Sequence, residues 1–467
     1  MEWWKDVKAI ESIRDFALLQ GILKKSSSKP DDISLTNVSV ALTPFKFPTQ
    51  LFQHARTIQT HINLLVDAVS QDYQFLSDTL KSVVANDDFT RRLMEIHKKV
   101  TSDNKQTCTF SIQRSDYMID KKPGVGPTLK QIEMNTIAAS CFALTQDKME
   151  NLFSFVRSRF QPSSENSSIP PNKCLDILTE GIAIAWKEYA SDKSCVLFAI
   201  DEGETNIYDS RPIEFLLWTK YKIPVIYRSL LELSKQGRLG PQRELLVSGQ
   251  EVAVVYFRTG YSPEQYPTDK EWDARLLCEM SRASNCPSVG YQLAGTKKVQ
   301  QALTVPGILE KFCDDSDAVA SIRTTFAGIY SLENNAEGDW AIERALKNPA
   351  DFVVKPQREG GGNNFYDDDV RIFLEGIRHT SEREAYILMD RVHPPVQPGL
   401  VLWLGKNIVT PVDLTCELGI LGVFLRKQSE VMMNVEGGYI LRSKSATTNE
   451  VGLNAGFGAL DLPTLVS

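Results

Sequence analysis

Apolar residues recur at helical spacing between residues 51 and 84. The spacing is that of one face of an amphipathic helix, and it is carried by Leu51, Ala55, Ile58, Ile62, Leu65, Val66 and Val69. It predicts two core helices in this stretch. A similar pattern at 178–189 predicts another helix, after a Ser-, Pro- and Asn-rich segment at 161–172 that is typical of a linker.

The pattern changes near residue 193. A short apolar run at 195–200, a helix-like segment at 213–221 and a second apolar run at 223–227 predict the strand, helix and strand of a parallel sheet. Two further runs, 245–247 and 251–257, flank Ser248-Gly249 and predict a hairpin at the edge of that sheet. We therefore predict a separate α/β domain at 193–296.

The last third contains apolar runs at 352–354, 386–389 and 418–424, separated by polar or glycine-rich loops. They predict the strands of a nucleotide-binding module. We expect an N-terminal part of the protein at 1–192, followed by the α/β domain, and a nucleotide-binding region at 297–467. The fold class predicted is α/β (α+β).

Composition and charge exclude several classes of protein. The 467 residues carry a net charge of −7 without a Lys/Arg block, so we expect no nucleic-acid partner. No apolar run reaches the roughly 20 residues that cross a bilayer, and the first residues show no secretory signal. The eight cysteines show no CxxC pair and the five histidines no HExxH spacing, which predicts free thiols and no zinc site. We therefore expect a cytoplasmic protein without a membrane partner.

The segment 352–364 has the features of a phosphate-binding loop. An apolar run ends at Lys355, and Gly360, Gly361 and Gly362 follow, where backbone N–H groups can approach phosphate oxygens without interference from a Cβ atom. A flexible turn would have the same composition, and the order is neither that of a Walker A loop nor that of a dinucleotide turn. Glu359 favours phosphate binding through a divalent cation, because a carboxylate beside phosphates is otherwise repelled.

Glu133 and Asn135 form a second candidate pair. At i and i+2 on a strand, their side chains point to the same face and could supply two oxygen ligands to a cation. Two solvated polar residues on an edge strand would look the same.

Several longer segments resemble the eukaryotic glutathione synthetase family, in the family's order and spacing. They are 63–71, 114–118, 131–136, 254–261, 292–301 and 355–364. The resemblance implies an ATP-grasp fold with a glycine-rich lid at about 330–400. It also implies that the inserted parallel-sheet domain at 193–296 binds substrate and that the protein is a homodimer. It also implies ATP- and Mg²⁺-dependent ligation of γ-glutamylcysteine to glycine through an acyl-phosphate.

The resemblance further implies roles for individual residues. Mg²⁺ would be held by Glu133, Asn135 and Glu359. ATP would be bound by Lys297, Lys355, Gly360, Gly361, Gly362, Asn363, Asn364, Tyr366, Met389, Val392, Glu417, Lys444 and Glu450. Arg114 and Arg442 would be catalytic, with Arg442 also holding the glycine carboxylate. The remaining substrate contacts would come from Ala138, Ser140, Glu204, Asn206, Ser210, Arg258, Tyr261, Leu453 and Asn454.

Four positions depart from the family's pattern. Ala138 stands where the family has serine, Ser210 where it has glutamine, Asn454 where it has alanine and Glu450 where it has aspartate. A relative with altered donor or acceptor specificity is therefore an alternative interpretation. An ATP-binding homologue with weak catalysis is another, although the expected Mg²⁺ ligands and Arg114 are present.

Overall fold

The computed structural model describes residues 2–29, 31–103, 105–161, 169–403, 405–406, 408–450, 452–453 and 458–467. Its α-helices are α1 (Val7–Leu19), α2 (Thr49–Gln71), α3 (Tyr73–Thr79), α4 (Lys81–Asn86), α5 (Asp88–Thr101), α6 (Phe142–Thr145), α7 (Lys148–Phe160), α8 (Cys174–Glu188), α9 (Arg211–Leu216), α10 (Leu230–Gln236), α11 (Asp269–Glu279), α12 (Val289–Ala294), α13 (Lys297–Thr304), α14 (Ser316–Thr325), α15 (Ala336–Lys347) and α16 (Asp368–Ile377).

Its strands are β1 (Leu23–Lys25), β2 (Leu35–Asn37), β3 (Val40–Ala41), β4 (Phe45–Pro48), β5 (Thr109–Asp120), β6 (Thr128–Asn135), β7 (Cys195–Ala199), β8 (Val225–Arg228), β9 (Gly237–Leu239), β10 (Leu245–Val247), β11 (Gln250–Phe257), β12 (Ser284–Cys286), β13 (Ile329–Ser331), β14 (Phe352–Pro356), β15 (Phe365–Tyr366), β16 (Tyr386–Asp390), β17 (Gln397–Leu402), β18 (Val409–Lys427), β19 (Glu430–Ser445), β20 (Gly458–Asp461) and β21 (Pro463–Val466).

The predicted helical stretch at 51–84 forms part of the main core. The apolar stripe is buried, with Ala55, Ile58 and Ile62 each at most 1% exposed. The prediction of two helices was wrong in number, because the stretch contains α2, α3 and α4. The first break occurs at Asp72, whose backbone is not helical. Its side chain accepts a hydrogen bond from Phe75 N at 2.9 Å and so caps the N-terminus of α3.

A seven-stranded sheet carries most of the cleft described below. Its order is β17-β3-β20-β19-β18-β5-β6, and β17 also pairs with β18. The run predicted at 418–424 is the middle of β18, a strand of 19 residues that pairs with β19 from Leu414 to Lys427. Segments far apart in sequence complete this region, since β20 pairs with β3 and β21 pairs in parallel with β4.

The six-stranded sheet confirms the strand–helix–strand prediction. β8, β7, β11 and β12 run parallel, and β10 and β11 form the predicted antiparallel hairpin. Its turn has φ values of 50° at Ser248 and 85° at Gly249, as a two-residue turn with two positive φ angles requires. The sheet's strands all lie within the predicted domain 193–296, whose limits remain a prediction.

The third sheet is antiparallel, in the order β13-β16-β14-β15. It confirms the strands predicted at 352–354 and 386–389, each extended by one or two residues. An apolar cluster that includes Ile342 of α15 and Leu374 of α16 covers it. This sheet places Lys355 and the glycine-rich loop at the edge of the cleft.

All eight cysteines are free, and all except the half-buried Cys313 are buried. In the described residues, no helix combines the length and the apolar character that crossing a membrane requires.

Candidate active site

One face of the seven-stranded sheet is charged. Arg114 and Asp116 of β5 lie opposite Asn135 and Glu133 of β6. On the other side of β5, Glu417 of β18 lies opposite Arg442 of β19. Because alternate residues of a strand share a face, these side chains lie above the same surface of the sheet.

A cavity of about 690 Å³ lies above this face. The glycine-rich loop after β14 and loops of the six-stranded sheet close its other sides. Of the residues predicted from the sequence, those that line it are Arg114, Glu133, Asn135, Ala138, Ser140, Glu204, Asn206, Arg258, Tyr261, Lys355, Glu359, Gly360, Gly361, Gly362, Asn364, Tyr366, Glu417, Arg442, Glu450 and Leu453.

Six other predicted residues in the described part of the chain are not among the lining residues: Lys297, Asn363, Lys444, Ser210, Met389 and Val392. Lys297 and Lys444 nevertheless contact carboxylates that line the cavity. Asn363 Nδ2 donates to Gly360 O within the loop at 3.2 Å. Ser210 and Met389 are buried. Asn454 lies outside the described residues.

Lys297 lies between two carboxylates at the end of the cavity next to the glycine-rich loop. Its Nζ is 3.3 Å from Glu133 Oε2 and 3.7 Å from Glu359 Oε2. Burial alone would lower the pKa of Lys297, but the charges of Glu359 and Glu133 outweigh it and raise this pKa.

The two carboxylates have different electrostatic environments. Burial opposes ionisation of Glu133, but Lys297, Lys355 and two arginines outweigh it and hold its pKa well below the ordinary value. For Glu359, burial raises the pKa, and the negative charge of Glu133 raises it further. Lys297 offsets these effects only in part, so the pKa of Glu359 rises to about 7. Glu359 Oε2 is also buried and accepts no hydrogen bond from the described residues.

These donors fit Mg²⁺, which prefers hard oxygen ligands. Glu133 and Glu359 offer carboxylates, and Asn135 a carboxamide. Within the described part of the chain, no three His, Cys, Asp or Glu side chains come together in a metal-binding group. These three side chains alone would supply only part of a Mg²⁺ coordination shell, and substrate phosphates and water would have to supply the rest.

The glycine-rich loop faces this cluster. Gly360 and Gly362 have φ values of 80° and 92°, conformations that an L-residue adopts only with strain. Glu450 accepts hydrogen bonds from Gly362 N and, at 3.3 Å, from Asn364 N. At the base of the loop, Lys355 Nζ donates to Ile132 O at 2.8 Å, and burial lowers the pKa of Lys355.

Asp116 lies between the two candidate catalytic arginines, and the sequence reasoning did not assign it a role. It accepts two hydrogen bonds from Arg114, at 2.6 and 2.7 Å, and one from Arg442 Nη2 at 2.8 Å. Arg442 Nη2 also lies 3.3 Å from Glu417 Oε2, and Lys444 Nζ lies 3.2 Å from Glu417 Oε1. The sequence did contain a signal, because Asp116 is two residues from Arg114 within the segment 114–118 that resembles the family.

The far end of the cavity is centred on Arg258. Its guanidinium donates to Ala139 O at 2.7 Å and to Asp209 Oδ2 at 2.9 Å. Asp209 Oδ1 also accepts from Cys141 N at 2.6 Å, so it fixes the segment that carries Ser140. Burial raises the pKa of Asp209 to about 6 although Arg258 opposes this shift. Asp209 and Cys141 were both missed, because their contacts join segments distant in sequence.

A glycine-rich loop that faces two carboxylates and an amide, with arginines beyond them, is the arrangement expected of an ATP-dependent ligase of the ATP-grasp class. The similarity to known proteins specifies the family. The chain belongs to the eukaryotic glutathione synthase family, since the family model described as "Eukaryotic glutathione synthase, ATP binding domain" matches residues 5–465.

Individual relatives agree with this assignment. The chain is 42% identical to glutathione synthetase of Xenopus laevis, over 99% of this chain and 98% of the relative. Identity to glutathione synthetase of Homo sapiens is also 42%, over 96% and 94%. The chloroplastic glutathione synthetase of Arabidopsis thaliana is 38% identical, over 94% and 80%. A solved glutathione synthetase-like effector from Globodera pallida shares the fold, with a TM-score of 0.77 over 98% of this chain and 97% of that one, at 23% identity.

Proposed function

We propose that this protein ligates γ-glutamylcysteine to glycine with conversion of ATP to ADP and phosphate, which gives glutathione. The observation that carries the proposal is that one cavity is lined by the phosphate loop, by Glu133, Asn135 and Glu359, and by Arg114, Arg258 and Arg442. Membership of the glutathione synthase family supports this choice of substrates.

At the nucleotide end, Lys297 and Lys355 bind phosphate oxygens as point charges, and the backbone N–H groups of 360–364 close over them. Glu133, Asn135 and Glu359 would hold Mg²⁺, which neutralises charge between neighbouring phosphate oxygens when bound. Tyr366, Met389, Val392, Glu417, Lys444 and Glu450 complete the nucleotide site.

In the first step, the cysteinyl carboxylate of the donor attacks the γ-phosphorus of ATP, so that an acyl-phosphate forms and ADP leaves. In the second, the amine of glycine attacks the acyl carbon, and phosphate leaves as the amide bond forms. Arg114 stabilises the negative charge that develops in both steps, and Arg442 binds the glycine carboxylate. A preorganised cation of this kind contributes a few kcal/mol of barrier reduction.

Donor recognition takes place at the opposite end of the cavity. Arg258 is already oriented by Asp209 and Ala139 O, so little ordering is needed when the donor binds. Ser140, Glu204, Asn206 and Tyr261 provide further polar contacts. Ala138 lines the same wall without a hydroxyl and has a φ of 51°.

The protein is further proposed to be a cytoplasmic homodimer that requires Mg²⁺. The eight free thiols support a reducing compartment. The dimer rests on the family resemblance. Light scattering over a range of concentrations tests it, and a monomer at every concentration would contradict it.

Mass spectrometry of the products formed from ATP, Mg²⁺, γ-glutamylcysteine and an equimolar mixture of amino acids tests the reaction. Glutathione should be the main product, with one ADP and one phosphate per molecule. A different γ-glutamylcysteinyl peptide as the main product would show an altered acceptor, and ATP binding without any ligated product would reject the ligase.

A further inference from the structure

Asp116 lies beneath the cavity and accepts hydrogen bonds from three neighbouring side chains. Its side chain is 0% exposed. Its Oδ2 accepts hydrogen bonds from Arg114 Nη2 at 2.7 Å, Arg442 Nη2 at 2.8 Å and Asn135 Nδ2 at 2.9 Å. One carboxylate therefore joins both proposed catalytic arginines to a proposed Mg²⁺ ligand.

The contact with Asn135 determines how its carboxamide is oriented. An ionised carboxylate only accepts hydrogen bonds, so the Asn135 group that faces it must be the NH₂. The second neighbour of Nδ2 is the carbonyl oxygen of Arg114 at 3.4 Å, which is also an acceptor. The carboxamide oxygen therefore points away from Asp116, and Asn135 lines the cavity that contains Glu133 and Glu359.

The sheet leaves room for this arrangement at one position. Gly419 of β18 lies directly opposite Asp116. A Cβ atom there would lie 2.7 Å from Arg114 Cδ and 2.8 Å from Asp116 Oδ1. Because Gly419 has no side chain, the side chains of Arg114 and Asp116 can occupy the space above β18 at this position.

We infer that Asp116 is a positioning residue, which holds Arg114 and Arg442 toward the reacting groups and turns the Asn135 oxygen toward Mg²⁺. The inference rests on the proposed function for the identity of the metal and the substrates. Groups that orient metal ligands in this way typically change metal affinity or activity 10- to 100-fold when they are replaced.

The test compares Mn²⁺ binding to the wild-type protein and to Asp116→Asn, measured by electron paramagnetic resonance with a non-hydrolysable ATP analogue. We expect at least a tenfold weaker affinity, because an amide at residue 116 no longer selects the orientation of Asn135. In an Asn135→Ala background, Asp116→Asn should have little further effect on Mn²⁺ affinity. In that background, Asp116→Asn should still raise the KM for glycine and lower kcat, since Arg442 and Arg114 lose their shared hydrogen-bond acceptor.

Asp67→Asn is the matched control. Asp67 is also a buried aspartate, which accepts from Arg426 at 2.9 Å and from Tyr291 at 2.8 Å. Its partners do not line the cavity, whereas Arg114, Arg442 and Asn135, the partners of Asp116, do. It should lower thermal stability while Mn²⁺ affinity stays at the wild-type value. If Asp116→Asn does not fold, Gly419→Ala displaces the same side chains without changing any charge and should weaken Mn²⁺ binding.

Wild-type Mn²⁺ affinity in Asp116→Asn, or an equal loss in Asp67→Asn, would overturn the inference. The binding measurement does not depend on the acceptor amino acid. A wild-type protein that makes no glutathione would therefore reject the proposed function while the comparison of metal affinities still decides the role of Asp116.

Discussion

The ion pair between Asp87 and Arg358 connects the start of the glycine-rich loop to the N-terminus of α5. Arg358 Nη2 contacts Asp87 Oδ1, and the two side chains are 22% and 9% exposed. Arg358 immediately precedes Glu359, a proposed Mg²⁺ ligand. Asp87 Oδ2 also accepts from Thr90 N at 2.8 Å, so Asp87 caps α5 as well.

The two roles of Asp87 can be separated by substitution. Asp87→Asn keeps an oxygen that caps α5 but removes the charge that pairs with Arg358. A hydrogen bond to a charged group contributes about 1.5–3 kcal/mol, and partial exposure of Arg358 favours the lower end of that range. Asp87→Ala should lower the free energy of unfolding by about 1 kcal/mol more, because the helix cap is lost as well.

The assay is a double-mutant cycle of Asp87→Asn and Arg358→Gln, followed by denaturant unfolding and by ATP kinetics. We expect a coupling energy of about 1 kcal/mol in stability. The KM for ATP should rise more than the KM for γ-glutamylcysteine in each single variant, since the displaced loop lies at the nucleotide end. Additive stability losses with an unchanged KM for ATP would refute the reasoning.

The same pair predicts a pH dependence of stability. Burial opposes ionisation of Asp87, but hydrogen bonds from Arg358 and Thr90 outweigh it and lower its pKa. A carboxyl group with a depressed folded-state pKa stabilises the protein above the unfolded-state pKa of about 3.9. That contribution is lost as the pH falls from there through the folded-state pKa, so Asp87→Asn should flatten the stability curve in this acid range.

Three further predictions concern other parts of the site and the sheet. Glu359→Gln should abolish release of ADP and phosphate in a coupled assay, since a hard anionic ligand is lost, whereas release of AMP and pyrophosphate by the wild type would contradict the mechanism. Gly362→Ala should reduce the hydrogen-exchange protection that ATP gives to the loop, because the φ of 92° costs an L-residue about 1–2 kcal/mol; unchanged protection would argue against a closing lid. Gly422→Ala should destabilise the protein by about 1–3 kcal/mol in urea unfolding, because its Cβ would lie 2.0 Å from the buried Asn63 Oδ1, and a wild-type midpoint would show that this contact relaxes.

Local patterns predicted several of the helices and strands. Periodicity located the helices at 51–84, and alternation with turn residues located the hairpin at Ser248-Gly249. The apolar spacing did not show that this stretch divides into three helices, because it gives no position for the breaks; at Asp72, only the cap to Phe75 N shows that a new helix begins.

The candidate site was predicted where its chemistry lies within one segment. Lys355 to Asn364 and the pair Glu133 and Asn135 are of this kind, and most of them line the cavity. Asp209 and Asp116 were missed, because their importance arises from partners on other strands and loops. Such contacts follow from strand order, which a single sequence does not reveal.

The pairing of β20 with β3 and of β21 with β4 has a consequence for biosynthesis. Thr49 Oγ1 donates to Val466 O across 417 positions of the chain. During translation, the edge of β3 that pairs with β20 and the edge of β4 that pairs with β21 therefore stay unpaired until β20 and β21 leave the ribosome. Long-range pairing of this kind is slow. An unpaired strand edge invites aggregation. A nascent chain of this protein should therefore depend on chaperones until β20 and β21 emerge. A truncation that removes only β20 and β21 should yield aggregates.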